Sequence, residues 1–155
     1  MRLIMGTTSK WELKCTLHEF GSLCDYKFVV VCSRYDGKWL LSMHKKRDTW
    51  ETQGGHFESG EDVWQTAKRE LFEESGVTDA DLYAICDYYG YTDTDNANGA
   101  VFLADVHSLG TIPESEMKAV RVFEVLPCAD DLTYPNVTPL LIEKAMQAAL
   151  ELKIK

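Results

Sequence analysis

Apolar positions recur in two rhythms along this chain. Tyr26–Ser33 (YKFVVVCS) is rich in β-branched and aromatic residues, the pattern of a buried strand. Trp11–Phe20, Trp39–Lys45, Leu82–Tyr91, Ala100–Val106 and Ala119–Val125 predict further strands, and Trp50–Thr52 leads into the pair Gly54-Gly55. Asp36-Gly37 and Asn98-Gly99 are turn dipeptides that would join neighbouring strands. Helical spacing governs two segments. Asp62–Ser75 holds no Gly or Pro and sets Trp64, Ala67 and Leu71 in one stripe, with Val63 at its edge. Ser59 is the expected N-cap, with Asp62 three residues on, and Gly76 is the expected left-handed terminator. Val137–Ile154 repeats the helical rhythm through Leu140, Leu141, Ala145, Ala148 and Leu152, with Pro139 in its first turn. Two helices among strands in mixed order predict an α/β fold, a sheet with helices on its two faces, as one domain over residues 1–155.

The first helix carries an arrangement with little structural use. Glu70, Glu73 and Glu74 fall within one arc of about 100°, beside the apolar stripe. Carboxylates at these spacings repel by ~0.2–0.5 kcal/mol per pair even on an open surface. Glu73 and Glu74 also sit at the helix C-terminus, where the dipole disfavours negative charge. One reading is a solvated helix face. The other is a site for a hard divalent cation, which turns the repulsion into binding; Mg²⁺ or Mn²⁺ is then the expected cofactor.

Composition narrows the partners. The chain has 155 residues, 45% hydrophobic and 26% charged, enough for a real core. A net charge of −9 argues against a nucleic-acid duplex or an anionic membrane as partner, but not against a small phosphorylated molecule. Cys15, Cys24, Cys32, Cys86 and Cys128 are odd in number and include no CxxC pair, so buried free thiols in a reducing cytoplasm are expected. Met1–Lys10 lacks a signal-peptide core, and no apolar run reaches membrane-spanning length. The run Asp93–Asn96 lacks the Gly and Glu offsets of a calcium loop and reads as a polar hairpin loop.

The fixed offsets around the helix are more specific than any of this. Gly55, Glu61, Arg69, Glu70, Leu71, Glu73, Glu74, Gly76 and Val77 fill every specified position of a pattern running GHFESGEDVWQTAKRELFEESGV. A chance match at one starting point is on the order of 10⁻⁹ to 10⁻¹⁰ with ordinary residue usage. The stretch resembles the signature of the Nudix hydrolases. The resemblance implies an α/β/α sandwich with a mixed sheet between helices. It also implies water attack on a diphosphate linked to another group, aided by bound metal.

On the matching positions, the resemblance implies that Glu73 and Glu74 ligate metal and that Glu70 is a ligand or the base acting on water. The Gly54 carbonyl is implied as a further ligand. Arg69 would orient the acidic groups, with Glu61 a candidate partner; Glu58 fits the family form GGxxExGE. Glu116 lies where many members place another carboxylate, although Glu114 is near and an ordinary acidic loop fits equally. His56 stands where the MutT-type triphosphatases have Lys, so phosphate binding could pass from His56 to Lys45, Lys46 or Arg47, which otherwise read as solvated loop charges. Tyr134-Pro135-Asn136 resembles the MutT-type run whose Asn reads a purine; Asn136 could equally cap the last helix. The WxxxGGH form is also similar to isopentenyl-diphosphate isomerases, but their cysteine-bearing stretch is missing. The expected activity is therefore hydrolysis of a nucleoside triphosphate to monophosphate and pyrophosphate by a monomer or homodimer. A nucleotide-sugar or dinucleotide pyrophosphatase, and a non-catalytic ligand sensor of the same fold, are the alternatives.

Overall fold

β2 (Tyr26–Tyr35) lies at the centre of the sheet and explains most of the architecture. It pairs in parallel with β7 (Asn96–Ser108) and antiparallel with β3 (Lys38–His44) and β5 (Gln53–His56). The strand order runs β1 (Lys14–His18), β6 (Asp79–Tyr91), β7, β2, β3, β4 (Trp50–Glu51), with β8 (Met117–Phe123) on β3. The computed structural model describes residues 9–155, so Met1–Thr8, most of the stretch read for a signal segment, lie outside the described residues. Among the described residues, no helix is long and apolar enough to cross a membrane.

The unbroken apolar run in β2 is explained by burial on both faces. Phe28, Val30 and Cys32 pack with Leu141, Ile142, Ala145 and Ala149 of α2 (Thr138–Glu151). Val29 and Val31 point the other way, to Ala67 and Leu71 of α1 (Val63–Ser75). Successive residues of one strand thus feed two cores, and the sheet is sandwiched between the helices as expected.

Several local expectations are corrected. The N-cap of α1 is Asp62, not Ser59: Asp62 Oδ1 accepts from Gln65 N–H at 2.8 Å, while Gln65 Oε1 accepts from Asp62 N–H at 2.9 Å. Asn98-Gly99 is not a turn. Both residues lie inside β7 opposite Tyr89 and Tyr88, and a Cβ at Gly99 would overlap the Phe28 ring. Glycine there marks close approach in a strand. The chain instead reverses at Thr92–Asp95, where Thr92 Oγ1 accepts the N–H groups of Thr94 and Asp95. On α2 the buried stripe is Thr138, Leu141, Ile142, Ala145 and Ala149, whereas Leu140 and Leu152 are exposed. Of the cysteines only Cys32 and Cys86 are buried, and Cys24 and Cys128 are exposed.

Gly76 ends α1 as expected, at φ +79°, with its N–H donating to Phe72 O at 2.7 Å. A Cβ there would also run into the carbonyl of Thr111, and one on Gly110 into the carbonyl of Gly76. The two glycines let the loop before β8 lie against the end of α1. Gly76→Ala should therefore cost more than the ~1–2 kcal/mol of a left-handed alanine alone. Urea unfolding checks this; a loss below that range would show that the loop simply moves aside.

Candidate active site

The C-terminal half of α1 forms one wall of an open cleft of about 1210 Å³. β5 and the turn after it bring Gly54, Gly55, His56, Phe57 and Glu58; the end of β3 and its loop bring His44, Lys46 and Arg47; the loop before β8 brings Glu114 and Glu116. Glu70, Glu73 and Glu74 all line this cleft, as their helical spacing requires.

Arg69 joins the helix to the loop that precedes it. Its Nε and Nη2 donate to the two oxygens of Glu61 at 2.7 and 2.9 Å, a bidentate pair. Nη2 also reaches the His56 carbonyl at 3.0 Å, and Nη1 donates to Glu70 Oε1 at 2.8 Å and Glu73 Oε2 at 3.2 Å. Glu58 lies 3.5 Å from Nη1. Glu61 is further fixed by Thr66 Oγ1 and the Glu58 N–H, each at 2.9 Å. The guanidinium hydrogen bonds hold the Glu61 carboxyl down at about 2.

Glu70 and Glu74 are less compensated. Gly55 has no Cβ, and one there would overlap the Glu70 carboxylate. Burial beside this backbone pushes Glu70 up to about 7, against the downward pull of Arg69. Glu74 turns inward: 5% exposed, it accepts the Gly54 N–H at 2.7 Å, and burial pushes its carboxyl well up, with the nearby Glu51 adding to the rise. Its backbone is held too. Ser42 Oγ donates to the Glu74 carbonyl at 2.8 Å and itself accepts from Gln53 Nε2, while Gln53 Oε1 accepts from Ser33 Oγ.

The remaining candidates divide. Arg47 lines the cleft, with Nη1 at 3.1 Å from the Tyr134 hydroxyl and 3.5 Å from the buried carboxylate of Glu51. His56 lines it as well, its Nδ1 3.0 Å from the Lys27 carbonyl. Lys45 is not among the lining residues and pairs with Glu114 at 2.6 Å. Asn136 is not among them either: its Nδ2 donates to the Trp11 carbonyl at 2.7 Å, and it does not cap α2, whose N-cap is Val137. His44, Phe57 and Phe72 line the cleft without having been singled out in the sequence. The one signal for His44 was a polar residue closing the apolar strand WLLSMH.

Comparison with known proteins decides the family. Residues 25–136 match the NUDIX domain family. The chain belongs to the Nudix hydrolases. An oxidized purine nucleoside triphosphate hydrolase of Danio rerio is 31% identical over 121 residues, 70% of this chain and 74% of the relative. Among solved structures, the Bacillus subtilis pyrophosphohydrolase BsRppH has a similar fold, with a TM-score of 0.76 at 23% identity, covering 92% of this chain and 93% of that one. A MutT Nudix hydrolase from Burkholderia pseudomallei has a TM-score of 0.57 at 22% identity, covering 78% of this chain and 98% of that one.

The cleft of this Nudix hydrolase fits a divalent cation. Three carboxylates share one helix face and two of them are raised by burial, with the imidazoles of His44 and His56 lining the same cleft. Asp81, Asp105 and His107 form a separate group on β6 and β7, with His107 Nε2 3.0 Å from Asp81 Oδ2, outside the cleft.

The raised carboxyls make a pH prediction. The folded state binds these protons more tightly than the unfolded chain. The stabilisation from Glu70 is thus fully present below its ordinary value of 4.5 and is lost as pH rises through about 7. In EDTA, urea unfolding should show lower stability at about pH 8 than at about pH 6, and Glu70→Gln should flatten that slope. Equal slopes in the two proteins would remove burial of Glu70 as the cause.

Proposed function

We propose that this Nudix hydrolase is a Mg²⁺- or Mn²⁺-dependent pyrophosphohydrolase that splits a nucleoside triphosphate into the monophosphate and pyrophosphate. One observation carries the reading: the face of Glu70, Glu73 and Glu74 opens on a cleft that Lys46 and Arg47 also line. The purine triphosphate named for the Danio rerio relative supports the substrate class.

Glu73, Glu74, Glu116 and the Gly54 carbonyl would hold the cation, leaving Glu70 as the base. When bound, it would supply charge neutralisation at the phosphate oxygens and a more acidic water. The chain's own part is positioning and proton transfer. Arg47, braced by Glu51 and Tyr134, presents a guanidinium to the phosphates. Arg69 occupies Glu70 Oε1, so Glu70 Oε2 is the atom that takes a proton from the attacking water. With no cation bound, burial raises Glu70 to about 7, a range in which a carboxylate can accept a proton and release it again. Asn136 is given no part in this reading: it does not line the cleft, and its Nδ2 donates to the Trp11 carbonyl.

A panel of nucleoside triphosphates, nucleotide sugars and dinucleotides, with products identified, tests the reading. Turnover should yield pyrophosphate, vanish in EDTA, and fall by about 10²–10⁴ in kcat for Glu70→Gln with the fold intact. Two phosphorylated organic fragments would move the substrate to a nucleotide sugar or dinucleotide. Binding of a nucleotide without turnover of any would leave a sensor.

A further inference from the structure

His44 stands at the cleft with no role in the reaction described so far. It closes β3, is 7% exposed, and shares the α1-facing side of the strand with Leu40 and with Ser42, which holds the Glu74 carbonyl. The strand pairing with β8 shifts register at this point: Met43 faces Ala119, but His44 faces Met117. Such irregularities re-aim a side chain. Here the result is an imidazole placed beside Glu116, the residue before Met117.

The ring's hydrogen bonding defines its tautomer. The Lys46 backbone N–H donates to His44 Nδ1 at 3.0 Å, so Nδ1 carries a lone pair and the neutral ring carries its proton on Nε2. Nε2 lies 3.7 Å from Glu116 Oε2, close enough for attraction but too long for a hydrogen bond. The two side chains differ sharply in freedom, 9% exposed for His44 and 73% for Glu116. A buried N–H therefore faces an exposed carboxylate, and a small rotation of the Glu116 side chain would close the gap.

We infer that His44 is a positioning residue whose Nε2–H draws the Glu116 carboxylate out of solvent and holds it over the helix carboxylates. The inference rests on the reading of Glu116 as a cation ligand. A ligand on an exposed loop loses side-chain freedom when it binds, and a donor already fixed by the backbone removes part of that cost.

Mn²⁺ binding, followed by electron paramagnetic resonance, tests the coupling in the parent, His44→Leu, Glu116→Gln and the double variant. His44→Leu should weaken Mn²⁺ by about tenfold, and the double variant should bind no more weakly than Glu116→Gln alone. His44→Gln, which retains an N–H donor, should recover part of the loss. Nitrogen shifts of the His44 ring in the ¹⁵N-labelled parent should show the proton on Nε2, a readout that does not depend on how the leucine variant folds. Parent-like binding by His44→Leu, a loss that adds in full to that of Glu116→Gln, or a proton on Nδ1 would each overturn the inference. Unchanged binding by Glu116→Gln would overturn it by removing Glu116 as a ligand, while leaving the helix carboxylates in place. A folded parent that binds no Mn²⁺ would overturn both this and the metal reading beneath it.

Discussion

A single guanidinium holds the acidic side of this cleft together. Arg69 projects from the middle of α1 and meets Glu61 from the preceding loop, Glu70 and Glu73 from its own helix, and the His56 carbonyl at the end of β5. A planar fork with five donors can satisfy these partners at once; a lysine could not. Without it, the glutamates would repel one another across the turn between β5 and α1, and the turn would have no fixed distance from the helix.

That electrostatic clamp works because the backbone comes unusually close. Gly55 leaves room for the Glu70 carboxylate, and Gly76 and Gly110 let the loop bearing Glu114 and Glu116 rest on the end of α1. Beneath the cleft, the chain Ser33–Gln53–Ser42 ties β2, β5 and β3 to the Glu74 carbonyl through buried, mutually satisfied polar groups. Such a network specifies one arrangement, since breaking any member leaves a buried partner unpaired. The α1 wall of the cleft is thus rigid on its inner side and open on its outer side.

The cost of this arrangement falls on the carboxylates. Glu70 and Glu74 are buried enough to resist ionisation. Arg69 alone cannot offset the acids gathered around it, and the net charge of −9 adds no help. A divalent ion of the kind proposed would resolve the conflict, and packing of the fold alone gives no reason for so acidic a face.

The sequence by itself determined what depends on local geometry. The Gly76 end of α1 and the shared face of Glu70, Glu73 and Glu74 follow from helical spacing, while the pairing of Arg69 with Glu61 was expected from the family resemblance. The two-faced burial of β2 was foreshadowed by its unbroken apolar run. Tertiary structure alone decided what stands opposite. Gly99 serves a Phe28 ring that is 71 residues away in sequence, and its Asn-Gly dipeptide mimicked a turn. Asn136 was spoken for by Trp11, and Lys45 by Glu114. The helical spacing placed Glu74 with Glu70 and Glu73 but not its depth against Gly54, and His44 gained its place from a register shift between β3 and β8. Helical offsets are set within a few residues, whereas strand register and burial depend on contacts between segments far apart in the chain, which no local pattern encodes.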